Sequence, residues 1–162
     1  LIDGVLLEMP DDGISHHRLE RGDCALALPR LAPSPYTIVP DKSLRLMEFW
    51  TPKPDFYIHA PALRRRGDAA QPALVIEISD TTIPHDRDVK APAYAKAGVR
   101  EHWRIECETA VMFCYRLRPE GGYGAPSVVA HDQVAEALLI PELKLRLADL
   151  GLRPGTDVQP QA

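Results

Sequence analysis

The stretch PALVIEISDTT, residues 72–82, decides the fold, because it sets one carboxylate, Glu77, inside a run of strand-forming residues. Aliphatic and β-branched residues at this density read as a buried strand, and successive side chains along a strand alternate between its faces. Leu74, Ile76 and Ile78 therefore share one face, while Val75, Glu77 and Ser79 share the other. An acid near the C-terminal end of such a strand is either a structural group, bridged to an arginine or reaching solvent, or a functional one.

Working outward, YTIV (36–39), SLRLMEFW (43–50) and DFYIH (55–59) read as further strands, each rich in β-branched or aromatic types and bounded by Pro, Asp, Lys or Gly. IDGVLLEM (2–9) is a short strand. DDGISHHRLERGDCALAL (11–28) reads as a helix capped at Ser15, carrying Leu19, Ala25 and Leu28, weakened by Gly22 and stopped by Pro29. Downstream of residue 82 the period changes. In HDRDVKAPAYAKAGV (85–99), Val89, Ala93 and Ala97 suit one helical face, Pro92 fits the first turn, and Gly98 is a left-handed stop. REHWRIEC (100–107) and AVMFCYRL (110–117) form a hairpin, EGGYG (120–124) a turn, and LLIPELKLRLADLG (138–151) a last strand or short helix. The order of elements predicts a mixed α/β or α+β domain with a central sheet flanked by helices, over residues 1–152. The segment 153–162 is expected to be a frayed tail.

Composition narrows the function classes. The chain has 162 residues, 45% of them hydrophobic and 26% charged, enough for one well-cored domain. No run approaches the roughly 18 apolar residues of a membrane helix, and LIDGVLLEMP, with an acid at Asp3, is unlike the basic start of a signal peptide. A cytoplasmic protein with no membrane partner is expected. Cys24, Cys107 and Cys114 are odd in number and lack CxxC spacing, so neither a disulfide framework nor a zinc site is indicated. The net charge of −4 argues against a broad electrostatic footprint for nucleic acid, although LRRRGD (63–68) gathers three arginines that can either meet phosphate or form a solvated charge run. No GxSxG, GxxxxGK[ST] or GxGxxG pattern occurs, which argues against an α/β-hydrolase, a P-loop NTPase and a dinucleotide-binding domain, and no organic cofactor is expected.

The same alternation in KPDFYIH sets Asp55 and Tyr57 on one face, with Asp55 at the start of its strand. If that strand lies beside the Glu77 strand, two carboxylates meet. They repel unless a proton or a divalent cation sits between them, and hard oxygen ligands suit Mg2+, with Mn2+ as an alternative. Asp86 and Lys90 lie four apart at the start of the following helix, hence on one face, and that helix can return a lysine to the acids. A lysine there can orient or deprotonate an attacking water and offset charge on a phosphorane. His17, His59, His85, His102 and His131 lack metal-ligand spacing, and Tyr57, Tyr94, Trp50 and Trp103 fall where sheet or helix packing is expected.

The ordered set LIDGVLLEMP, SHHRL, PDFYIH, PALVIEISDTT and DRDVKAPAYAKAGVREHW resembles the Uma-two family of bacterial restriction-endonuclease-like proteins, within the PD-(D/E)xK nuclease superfamily. The resemblance spans residues 1 to about 150 and implies a mixed sheet with the acids on two central strands. By motif position Asp55 is the aspartate of the PD element and Glu77 the acid of (D/E)xK. The superfamily lysine would fall at Ser79, so the resemblance assigns its role to Lys90, with Asp86 holding it in place. It also marks His16 as an auxiliary that contacts the metal-bound water or phosphate. Glu8, in VLLEMP, either adds a carboxylate from the first strand or steadies the first helix, and the structural reading is favoured. The implied activity is metal-dependent hydrolysis of phosphodiester bonds in DNA, by a homodimer where both strands are cut. The alternative, favoured by the negative charge, the displaced lysine and Pro92 close to Lys90, is a nuclease-like scaffold that binds nucleic acid or protein without cutting.

Overall fold

The computed structural model of the chain describes residues 36–59, 71–79 and 86–154. The strand expected over 2–9, the helix over 11–28, the arginine run at 63–68 and the end of the tail lie outside these residues.

Among the described residues, six strands form one mixed sheet. They are β1 (Thr37–Pro40), β2 (Phe56–His59), β3 (Leu74–Ser79), β4 (Glu101–Glu106), β5 (Val111–Arg116) and β6 (Ser127–Ala130), in spatial order β1-β2-β3-β4-β5-β6. β3 and β4 pair in parallel, and the other neighbours are antiparallel. A parallel pair needs a crossover, and the segment between these strands supplies one. It contains a π-helical turn, Asp86–Lys90, that continues into α1 (Ala91–Lys96). Pro92 sits in the first turn of α1, as its missing donor requires, and Gly98 at φ 81 ends the helical segment.

The sheet is covered on both faces, which explains why every residue of β3 is buried. On one face Phe56, Ile58, Ile76, Ile78 and Trp103 pack against the C-terminal segment through Ile140, Leu143 and Leu147. The segment expected to be a last strand or short helix holds a two-residue strand and a 3-10 turn. A two-stranded ribbon pairs β7 (Ala135–Glu136) with β8 (Lys144–Leu145), and a 3-10 turn, Leu147–Leu150, ends at Gly151 with φ 80.

On the other face Tyr57 and Val75 pack against Ala93, Tyr94 and Val99 of the helical crossover, and against Leu44, Leu46 and Trp50. These last three residues correct the strand expected over 43–50. The segment is an irregular arm that leaves β1 and returns to β2, tied by Leu44 N–H to Pro52 O at 2.8 Å and by an isolated bridge between Met47 and Trp50. Its apolar residues follow strand periodicity because they are buried. Pro52 and Pro54 offer no N–H, so the ladder cannot be completed.

Candidate functional site

Register brings the two sequence-predicted acids together. Phe56 pairs with Ile76 across the antiparallel β2/β3 ladder, so one step beyond the last rung Asp55 stands opposite Glu77. Directly opposed residues in such a ladder have Cα atoms about 4.5–5.5 Å apart. Asp55 confirms the placement through its side chain, because Oδ2 accepts a hydrogen bond from Ile78 N–H at 2.6 Å. That amide lies where the β2/β3 ladder has just ended, so the carboxylate satisfies a donor that would otherwise be buried without a strand partner. Both acids are buried, and Glu77 keeps only 2% of its surface exposed.

A carboxylate so buried needs compensating donors or charge. Glu77 has them from the helical crossover. Lys90 Nζ donates to Oε2 at 3.1 Å and the Tyr94 hydroxyl donates to Oε1 at 2.6 Å. Lys90 and Tyr94 are four residues apart, a spacing that aligns side chains on one helical face. The Lys90 side chain is only 14% exposed, so its attraction to Glu77 is weakly screened. Pro92 therefore does not tilt Lys90 out of the site.

The Tyr94 ring packs in turn against two others. Trp50, from the arm, lies 5.0 Å away between centroids, and His102, from β4, lies 5.1 Å away. His102 continues the stack onto Tyr115 at 5.4 Å. Burial raises the Tyr57 hydroxyl above its ordinary pKa, which keeps that neighbour on the acids' face protonated.

β4 contributes a further charge. Arg104 is the register partner of Glu77 in the parallel pair, hence on the same face. Its guanidinium binds Glu106 Oε1 at 2.6 Å and lies 4.4 Å from the centre of the Phe113 ring of β5. Ser79, where the superfamily lysine would stand, is fully buried on the Glu77 face.

Asp55, Glu77, Ser79 and Lys90 are thus gathered at the end of β3. Only the backbone of Asp86 is described, at the start of the π-helical turn, so the contact expected between its carboxylate and Lys90 lies outside the described residues, as do Glu8 and His16. Tyr94 is the site residue that sequence reasoning assigned to packing. Its signal was its position one helical turn beyond Lys90, since a residue on the face that returns Lys90 to Glu77 must itself meet that acid.

The donor chemistry fits a divalent cation of the Mg2+ class, which takes oxygen ligands from one or two carboxylates and completes its shell with water and phosphate. Among the described residues no group of three or more His, Cys, Asp or Glu side chains converges, so a site of the zinc type has no counterpart there. No helix among these residues is long and apolar enough to cross a membrane.

The model of the Uma2 family, described as "Putative restriction endonuclease", matches residues 1–148. Among solved structures, the chain is similar to "a putative nuclease belonging to DUF820" from Anabaena variabilis ATCC 29413. Identity is 18%, 92% of this chain and 87% of that one are covered, and the TM-score is 0.67. At that identity the likeness speaks for the fold. No curated protein matches the chain.

Proposed function

The chain belongs to the Uma2 family of restriction-endonuclease-like proteins, and from that premise we propose that it is a divalent-metal-dependent endonuclease that hydrolyses phosphodiester bonds in DNA. The observation that carries the reading is the convergence of three groups: Asp55 opposite Glu77 by register, and Lys90 Nζ at 3.1 Å from Glu77 Oε2. A scaffold relieved of catalysis has no need of two acids and a lysine buried at one point, since such a cluster costs more desolvation than apolar packing would.

In this reading Asp55 and Glu77 hold the cation, Mg2+ or Mn2+. When bound, the cation supplies charge that polarises the phosphodiester and lowers the pKa of an attacking water. Lys90 lies beside the same acid, where its ammonium orients the water and offsets charge that develops on the phosphorane. Asp55 is fixed by the Ile78 amide, so its carboxylate is preorganised and loses little entropy on binding. In the same reading His16 is an auxiliary contact to water or phosphate, Glu8 steadies the first helix, and Asp86 holds the lysine. Cutting both strands of a duplex calls for two such sites, which a homodimer supplies. A nuclease of this family suits work in the cytoplasm.

The test is nicking of supercoiled plasmid in Mg2+ and in Mn2+ by the wild type, Asp55→Ala, Glu77→Ala and Lys90→Ala. Metal-dependent cutting that each substitution reduces by at least about a hundredfold is expected. Wild type that binds DNA and never cuts it with either ion would favour the scaffold reading.

A further inference from the structure

The irregular arm that joins β1 to β2 leaves the sheet at the edge where the two acids stand. β1 ends at Pro40, β2 starts immediately after Asp55, and Asp41 N–H donates to Asp55 O at 2.8 Å, so the base of the arm closes on the acid itself. The arm also lies on the face of Glu77. Leu44, Leu46 and Trp50 are buried there in one cluster with Tyr57, Val75 and Tyr94, and the Tyr94 hydroxyl donates to Glu77.

The outer side of the arm carries a different set of residues. A tight turn, closed by the bridge between Met47 and Trp50, presents Phe49 at its corner with 72% of its surface exposed. Single exposed apolar residues are ordinary on a protein surface. Phe49 is distinguished by its mount, because the next residue, Trp50, is buried and packs on the Tyr94 ring at 5.0 Å, which fixes the turn in place. Lys42 and Arg45, earlier on the arm, are exposed, and neither makes an ion pair among the described residues. Lys53, by contrast, is bound to Asp41 at 2.5 Å.

We propose that this arm is a DNA grip, in which Phe49 stacks on a nucleobase flanking the cleaved bond while Lys42 and Arg45 take phosphates of the backbone. The proposal rests on the nuclease reading above. A phosphodiester that reaches Asp55 and Glu77 must approach the edge of the sheet from which the arm leaves, so the adjoining nucleotides pass the arm. An aromatic face stacks on any base without reading sequence, and exposed cations neutralise phosphates. The chain as a whole carries −4 and repels a polyanion, which makes local cations beside the acids the favourable point of contact. Glu48, the one acid in residues 42–53, shares the exposed corner with Phe49 and opposes that contact.

The experiment is fluorescence-anisotropy titration of a labelled DNA duplex with the full chain, in EDTA and again in Mg2+, at several salt concentrations. It compares the wild type, Phe49→Ala, Phe49→Trp and a double variant, Lys42→Gln with Arg45→Gln, each checked for fold by circular dichroism. Phe49→Ala should raise Kd about tenfold at every salt concentration, since stacking is not screened, and Phe49→Trp should retain wild-type binding. The double variant should instead reduce the slope of log Kd against log salt by about two. A folded Phe49→Ala with unchanged Kd overturns the proposal and leaves the nuclease reading in place, provided that the wild type binds the duplex. A wild type that binds no duplex in either buffer overturns both together. Conversion of a dimer to a monomer by Phe49→Ala, seen by sedimentation, would assign the phenyl to a contact between copies of the chain and overturn the grip.

Discussion

Substituting Lys90 by methionine should destabilise the protein by about 2–3 kcal/mol in metal-free buffer. Removing one member of a buried ion pair costs about 3–5 kcal/mol, because the remaining charge is left in a poorly solvating environment. Glu77 is 2% exposed and meets that condition, whereas the Lys90 side chain is 14% exposed and so less fully buried. The Tyr94 hydroxyl also continues to donate to Oε1 in the variant, so the acid is not stripped of every donor. Both circumstances lower the estimate to the range given. For a chain of this size about 2–4 °C accompanies each kcal/mol, so Tm should fall by about 5–10 °C. Calorimetric melting in EDTA measures it, and a double-mutant cycle with Glu77→Gln isolates the pair, with a coupling of about 2 kcal/mol expected. Adding Mg2+ should recover part of the loss, because a cation bound at the acids restores the missing positive charge and stabilises the folded state. A fall in Tm below about 2 °C, with coupling under about 0.5 kcal/mol, would refute the claim that Lys90 compensates a buried carboxylate.

Three further outcomes are expected. Glu101 is fully buried, receiving Leu138 N–H at 2.6 Å and Trp103 Nε1–H at 3.0 Å, yet burial raises its pKa above 4.5 despite these bonds. Its contribution to stability is present below 4.5 and is lost as pH rises through the folded value; urea unfolding should therefore show Glu101→Gln gaining on the wild type as pH rises from 4 to 7, and the opposite trend would contradict it. Burial pushes the Cys114 thiol up to about 12, so it should resist iodoacetamide at pH 8 in the folded protein and react on unfolding, as peptide mass mapping would show. Gly98 stands at φ 81 with open space where a Cβ would go, so Gly98→Ala should cost about 1 kcal/mol through backbone strain alone, read as a drop of about 2–4 °C in Tm.

Much of this was legible in the chain. Alternation in residues 72–79 put Glu77 opposite Ile76 and Ile78 in facing, and alternation in 55–59 put Asp55 beside Tyr57; the two core clusters follow that division. Strand adjacency was a condition in the sequence reading, since alternation states which way a side chain points and says nothing of which strands pair. The structure supplies that adjacency. Lys90 was legible through the family resemblance, which moves the superfamily lysine to the following helix, since its i,i+4 spacing from Asp86 is by itself commonplace; Tyr94 lay four residues further along that face. It was assigned to packing because an aromatic ring in a helix is explained by the core before its hydroxyl is considered. Tyr94 does both, with its ring in the apolar cluster and its oxygen on Glu77. The arm at 43–50 misled for a related reason. Burial of Leu44, Leu46 and Trp50 imposes strand periodicity on residues whose backbone, interrupted by Pro52 and Pro54, forms no extended ladder.

The central claim is that Asp55 and Glu77 together hold a divalent cation, and a crystal soaked in Mn2+ tests it most directly. An anomalous difference peak is expected between the two carboxylates, at about 2.0–2.3 Å from one oxygen of each and absent in Glu77→Ala. Manganese ordered elsewhere on the chain, or no peak at saturating Mn2+ in crystals that diffract well enough to show both side chains, would contradict it.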